Sequence, residues 1–143
     1  MMRFKSTIAF LLLVFVNGVT AQSSLEDLKR LKWSNRIILV SSDEYLEQIV
    51  HQFESQSSGI IDRDILWFSF QDDYIQTNYS GEIAKGFSSY INTRYFSEIK
   101  TGVVLLGKDG GVKGVADELN LRELFALIDG MPMRRAEIEN SSR

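Results

Sequence analysis

Two groups of charged residues in the last third of the sequence are the candidates for a binding surface. Acidic and basic side chains at close spacing can hold a charged ligand or partner through charge-assisted hydrogen bonds. One group surrounds an Asp-Gly turn, and the other surrounds the segment Met131 to Met133; they comprise Lys108, Asp109, Lys113, Asp129, Arg134, Arg135 and Glu137. The alternatives are a solvated turn for the first group, and salt bridges with capping of a helix C-terminus for the second.

Ser41 and Ser42 are the candidate nucleophiles, because they precede a helical pattern whose free N–H groups could stabilise an anion. Capping of that helix is the competing interpretation. A serine nucleophile needs an adjacent base, and the single histidine, His51, lies two turns along the same helical pattern. We therefore expect His51 to be solvated and assign no catalytic residue.

The sequence contains no cysteine. Thiol redox chemistry requires a thiolate, so the chain cannot perform it. Zinc sites built from cysteine are excluded, and one histidine cannot make a histidine-rich metal site. The carboxylates Asp72, Asp73 and Glu82 lack the spacing and the glycine of a calcium loop. We predict no metal and no cofactor.

The first 21 residues are typical of a secretory signal peptide. Arg3 and Lys5 precede an apolar run from Ile8 to Val16, and small residues lead up to Ala21, after which cleavage is expected. The run is too short for a membrane-spanning helix, although a retained N-terminal anchor is the alternative. We expect a periplasmic or secreted protein with no membrane span after cleavage.

Cleavage after Ala21 would leave 122 of the 143 residues, which suits one domain. It would also reduce the basic residues from 16 to 14 against 19 acidic residues, which gives a formal charge of −5. Since binding to nucleic acid depends on cations that neutralise phosphates, we expect no nucleic-acid partner. The partner is predicted to be an unknown protein or a small ligand.

Periodicity predicts an alternation of strands and helices over 22–138. Apolar runs predict strands at Ile37 to Val40, Ile65 to Phe70 and Val103 to Leu106, and the last returns through the Asp-Gly turn as Val112 to Ala116. The aromatic residues of the second strand are expected in the core.

Residues at i, i+3, i+4 and i+7 predict two amphipathic helices, one beginning at Leu46 and one that Asn120 and Glu123 cap. Two serine–glutamate pairs have the spacing of a capping box. Ser41 with Glu44 predicts the start of the first of these helices. Ser23 with Glu26 predicts the start of a short lead-in helix through Leu25, Leu28 and Leu31.

The remaining segments have weaker patterns. Ile83, Phe87, Tyr90 and Ile91 predict a further helix, although Gly86 weakens it. The stretch 55–59 is expected to be a polar break, 71–80 is expected to be a loop, and 139–143 is expected to be a disordered tail.

This order of elements resembles the thioredoxin fold, an α/β fold with a central mixed four-stranded sheet flanked by helices. The stretches LKWSNRIILV, VVLLGKDGGVK and IDGMPMRRAEI, together with the pair Arg63 and Asp64, resemble the family called domain of unknown function 4174. That peroxiredoxin-like family occurs in small exported bacterial proteins. Similar domains occur in sushi-repeat-containing protein X-linked and in coiled-coil domain-containing protein 80. The resemblance covers Leu31 to about Ile138.

The resemblance implies a fold and an extracytoplasmic location, and it implies no established activity. Ser41 to Glu44 occupy the position of the reactive cysteines of thioredoxins, and Gly102 aligns with their cis-proline. The leading hypothesis is a redox-inactive binding module. The second is a non-thiol enzyme in which the charged residues near Pro132 converge with the loop from Ser41 to Glu44. The third is a structural component of the envelope.

Overall fold

The computed structural model describes residues 23–43 and 46–143, and a five-stranded sheet forms its centre. In chain order the strands are β1 (Arg36–Ser41), β2 (Ile65–Gln71), β3 (Tyr74–Thr77), β4 (Gly102–Leu106) and β5 (Val112–Ala116). The helices are α1 (Leu46–Ser55), α2 (Ser57–Asp62), α3 (Phe87–Tyr95), α4 (Leu121–Asp129) and α5 (Pro132–Ser141), and a 3-10 turn spans Lys29–Leu31. The predicted signal peptide and Glu44 of the predicted capping box lie outside the described residues.

The strand order is β3-β2-β1-β4-β5, with β1 in the middle. β1 pairs in parallel with β2, where Ile38 lies opposite Trp67, and antiparallel with β4, where Leu39 lies opposite Val104. The apolar run of β1 is buried because helices cover both faces of a central strand. The α/β class and the mixed sheet flanked by helices are thus confirmed, with five strands instead of the four expected.

The fifth strand is β3, and the prediction of a loop over 71–80 was wrong. Asp72 adopts a left-handed conformation with φ 52°, which turns the chain back along β2. Beyond the strand, the Asn78 side chain continues the ladder: its Oδ1 accepts from the backbone N–H of Trp67 at 2.8 Å, and its Nδ2 donates to the carbonyl of Ile65 at 3.0 Å. Side-chain hydrogen bonds therefore stabilise an edge strand that has few apolar residues.

Each face of the sheet has its own apolar core. Phe87 and Ile91 of α3 pack on one face, against Phe68 and Phe70 of β2. On the other face lie apolar residues of three helices, namely Ile49, Phe53, Ile60, Leu121, Leu124 and Ile128. The rings of Phe53 and Trp67 stack there with centroids 4.5 Å apart. The core positions expected for Trp67, Phe68 and Phe70 are confirmed.

The N-terminal segment and α3 differ from the prediction. Leu25 forms an isolated parallel bridge with Ile83, so only the 3-10 turn remains of the lead-in helix. Ile83 consequently belongs to this bridge, and α3 begins after Gly86. The stretch expected to be a break at 55–59 holds the end of α1 and the start of α2, which Ile60 anchors in the core.

The C-terminal region contains one helix more than expected. The cap of α4 is confirmed, since Asn120 Oδ1 accepts from the backbone N–H of Glu123 at 3.2 Å. Pro132 then occupies the first turn of α5, where its missing N–H costs no hydrogen bond. The helix α5 continues to Ser141, so the segment from Glu139 to Ser141 is helical.

None of the helices in the described part of the chain is long and apolar enough to cross a membrane.

Candidate functional site

Eight charged side chains meet at the end of the sheet where β1 and β2 begin and β4 ends. They are four cations and four carboxylates: Arg36, Asp62, Arg63, Asp64, Lys108, Asp129, Arg134 and Glu137. We call this set the charged cluster. It joins α2, the strand ends and α5.

Glu137 of α5 is the centre of one half of the cluster. Its two carboxylate oxygens each accept a hydrogen bond from the Arg36 guanidinium at 3.2 Å, and its Oε1 also accepts from Lys108 at 2.7 Å. Lys108 in turn donates to Asp64 at 2.9 Å. Arg36 is only 1% exposed and also donates to the carbonyl of Arg63 at 3.0 Å. A buried guanidinium thus has a bidentate carboxylate partner, the geometry that such a charge requires.

Arg63 and Arg134 form the other half. Arg63 donates to both oxygens of Asp129, at 2.9 and 2.7 Å, and its guanidinium lies 4.4 Å from the centre of the Phe125 ring. Arg134 is buried on α5 and donates to the carbonyl of Asp62 at 2.8 Å and to the Asp62 carboxylate. These contacts hold the start of α5 against the end of α2.

The ion pairs change the pKa values of the acidic groups. Hydrogen bonds from Arg63 lower the pKa of Asp129. For Glu137, burial is the largest single effect and raises the pKa, but the hydrogen bonds from Lys108 and Arg36 together outweigh it, so the pKa is lowered. The pKa of Lys108 is raised, because its bonds to Asp64 and Glu137 outweigh the opposing effect of burial. All three groups are therefore charged at neutral pH.

The structure brings together four of the seven residues that the sequence analysis proposed, namely Lys108, Asp129, Arg134 and Glu137. Asp109 and Lys113 form a separate pair at 2.8 Å within the β4–β5 hairpin. The Lys113 hydrogen bond and then the Gly111 backbone N–H lower the pKa of Asp109.

The seventh residue, Arg135, is exposed, and its side chain forms no ion pair with a described residue.

Sequence reasoning missed the remaining members of the cluster, which are Arg36, Asp62, Arg63 and Asp64. The pair Arg63 and Asp64 stood among the residues that carried the family resemblance, and that was the available signal. Arg36 gave no signal in the sequence, because an arginine beside an apolar strand is usually solvated.

Each carboxylate of the cluster already binds a cation of the same chain. The cluster therefore has the geometry of an internal clamp between α5 and the sheet.

Ser41, Ser42 and Asp43, which we call the serine corner, lie at the opposite end of β1 from the charged cluster. Ser41 ends that strand, and its hydroxyl donates to the carbonyl of Lys100 at 3.0 Å. Ser41 lies five positions from Arg36 along the strand, which is about 16.5 Å at 3.3 Å per residue. Among the described residues, the serine loop and the charged residues near Pro132 therefore do not converge, which counts against the non-thiol enzyme. His51 is exposed on α1.

A cavity of about 540 Å³ opens at the serine corner, between Ser41 to Asp43 and the segment from Thr101 to Val103. Gly102 has φ 142°, and a Cβ there would lie 2.8 Å from the carbonyl oxygen of Ala116. This position therefore requires glycine. No cis peptide bond occurs in the described part of the chain.

Within residues 23–43 and 46–143, no group of three or more histidine, aspartate or glutamate residues is placed to hold a metal ion.

Neither the curated proteins nor the solved structures contain a match to this chain. The model of the domain of unknown function 4174 (DUF4174) matches residues 27–137, which include β1 to β5 and all eight residues of the charged cluster. The match spans more than half of the 143 residues, and the chain belongs to the DUF4174 family.

Proposed function

We propose that this chain is an exported, redox-inactive binding module. One observation carries the proposal: an open cavity lies at the end of β1, where the resemblance to thioredoxins would put their redox centre, and Ser41, Ser42 and Asp43 line it. The Ser41 hydroxyl already donates to the Lys100 carbonyl, and the single histidine, His51, is exposed on α1. A cavity whose Ser41 hydroxyl is held by a backbone carbonyl suits binding better than nucleophilic catalysis.

The charged cluster supports the same proposal. A catalytic acid or base must be within hydrogen-bond reach of a substrate, whereas these groups are engaged with one another around α5. The residues that remain available for contact are outside the cluster, such as Arg135 beside the exposed Met133.

A disulfide-reduction assay and a hydroperoxide assay on the mature chain test the redox part. The native chain should show no turnover in either assay. The variant Ser41→Cys is the matched control, since one thiol at this corner should react stoichiometrically with an aromatic disulfide reagent. Turnover by the cysteine-free chain would overturn the proposal.

Affinity capture from the native envelope tests the binding part. The mature chain should retain a specific partner, and Arg135→Glu should lose it if the partner contacts the exposed side of α5. Arg134→Glu is unsuitable for this purpose, because Arg134 belongs to the cluster and its reversal should unfold the domain. A folded chain that retains neither a protein nor a small molecule would contradict the proposal.

A further inference from the structure

A second, smaller cavity lies at the other face of the sheet, between the 3-10 turn, the end of α3 and the β4–β5 hairpin. Its volume is about 300 Å³, at the lower end of the range for small-molecule sites. The apolar lining residues are Leu28, Leu31, Ile37 and Leu106, which are all buried. The cavity therefore has an apolar floor that is part of the core under α3.

Three cations line this cavity, Lys29, Lys32 and Arg94, and no carboxylate does. Lys29 has a partner outside the lining, since its ammonium lies 3.5 Å from Asp27, but it is so exposed that this pair is weak. Lys32 and Arg94 form no ion pair within 4 Å with any described residue. This surplus of positive charge is unusual for a chain whose formal charge is −3.

Polar groups that can donate hydrogen bonds complete the wall. Tyr90 and Tyr95 are half-buried there, together with Asn35. Burial, and next the neighbouring Tyr90, raise the pKa of Tyr95 and outweigh the charge of and hydrogen bond from Arg94, which lower it, so the phenol keeps its proton at neutral pH. The Lys32 side chain lies along Gly110, where a Cβ would come within 2.5 Å of its Cε. The hairpin turn thus fixes one side of the pocket.

We infer that this pocket binds a small organic anion, with the anionic group between Lys32 and Arg94 and an apolar body on the floor formed by Leu31 and Leu106. Cations with no carboxylate partner favour an anion over a neutral molecule or a cation. The volume admits a body about the size of a single aromatic ring. The inference rests on the proposed binding function, and it names a ligand class for it.

The larger groove between α1 and α4 does not favour an anion in this way. Its volume is about 840 Å³, and it is lined by Arg122 together with Glu123 and Asp129. Charges of both signs would attract neither kind of ligand strongly.

Calorimetric titration of the mature chain with benzoate and with phenyl phosphate tests the inference, and benzyl alcohol serves as the neutral analogue. Both anions should bind with millimolar or better affinity, more weakly at high salt, and the alcohol should not. Inorganic phosphate alone should bind more weakly than phenyl phosphate, because it makes no use of the apolar floor.

The variants Arg94→Gln and Lys32→Gln should each weaken binding of the anions about tenfold, which corresponds to the loss of one charged contact. Arg122→Gln, the same change in the other groove, should leave the affinity unchanged, and circular dichroism should show all three variants folded. Equal binding of the alcohol, an unaffected Arg94→Gln, or no saturable binding of either anion would overturn the inference. Those results would leave the proposed function to be decided by affinity capture.

Discussion

Arg36 shows how this chain keeps a buried charge in a domain without disulfides. Removing a guanidinium from water costs several kcal/mol unless a carboxylate and further acceptors replace the water. Glu137 and the carbonyl of Arg63 supply those acceptors. A buried pair of this kind adds little net stability, but removal of one partner is costly.

Glu137→Ala is therefore expected to destabilise the domain by about 3 kcal/mol, because Arg36 would remain buried without its counter-charge. Urea unfolding of the two proteins gives the difference in the free energy of unfolding. Arg135→Ala, two residues earlier on the exposed side of α5, should change it by less than about 0.5 kcal/mol. Equal effects of the two substitutions would show that Glu137 does not hold Arg36.

The same cluster makes stability depend on pH in a defined direction. The pKa values of Glu137 and Asp129 are lowered in the folded chain. Their contribution is therefore complete above about pH 4, the normal range of free carboxyl groups, and is lost as the pH falls through the lower folded values. The raised pKa of Lys108 acts oppositely: its contribution is complete at neutral pH and is lost as the pH rises through that raised value.

Unfolding free energies measured from neutral to strongly acidic pH check this expectation. The acid-side decrease should be smaller in Glu137→Gln and in Asp129→Asn than in the native chain. An unchanged pH profile in both variants would show that other groups cause the acid instability.

At the scale of elements, the sequence predicted those helices and strands whose positions depend on apolar burial. The patterns of β1, α1, β4 and α4 were each visible because one face or the whole element is apolar, whereas the exposed strand β5 was predicted from the Asp-Gly turn before it. The helix α5 was not visible, because its one buried residue is Arg134. Ion pairs anchor it, and a search for an apolar stripe cannot detect them.

The edge strand β3 was missed for a related reason. Its turn, Asp72 and Asp73, lacks the glycine that marks a tight hairpin. The side chains of Thr77 and Asn78, which hold it to β2, are typical of loops. Such hydrogen bonds depend on where β2 lies, and local sequence does not contain that information.

The cap of α4 provides a test at this scale. Asn120→Ala should cost about 1 kcal/mol, because the N–H of Glu123 loses its acceptor at the start of the helix. Asn120→Asp should retain the stability, since aspartate caps equally well and its charge favours a helix N-terminus. Thermal or urea unfolding separates the two outcomes, and equal losses would exclude capping as the role of Asn120.

For the whole molecule, sequence reasoning gave the fold class and half of the charged cluster. Lys108, Asp129, Arg134 and Glu137 were found because they stand beside a turn and a helix end, where charged residues are conspicuous. Arg36 and Asp62 were not found, because a single sequence does not show that the start of β1 lies beside the end of α2. These four residues are ion-paired within the chain as a clamp, and a binding role for the seven candidate residues stays a prediction.

Export is the expectation that concerns the whole chain. Expression of the full sequence with an intact secretion pathway should yield a mature protein that begins at Gln22, because small residues precede that position. Intact-mass spectrometry of the protein released from the envelope measures this directly. A product that retains residues 1–21 would favour the N-terminal anchor.

The clamp also has a consequence for the order of events during synthesis. Arg36 and Glu137 lie 101 positions apart in the chain, and contacts over such separations form slowly, since a long loop must close first. The central strand therefore has no counter-ion until translation has passed α5. A nascent chain that stops earlier should stay loosely packed and sensitive to proteases, and the domain should become resistant only when this last helix docks.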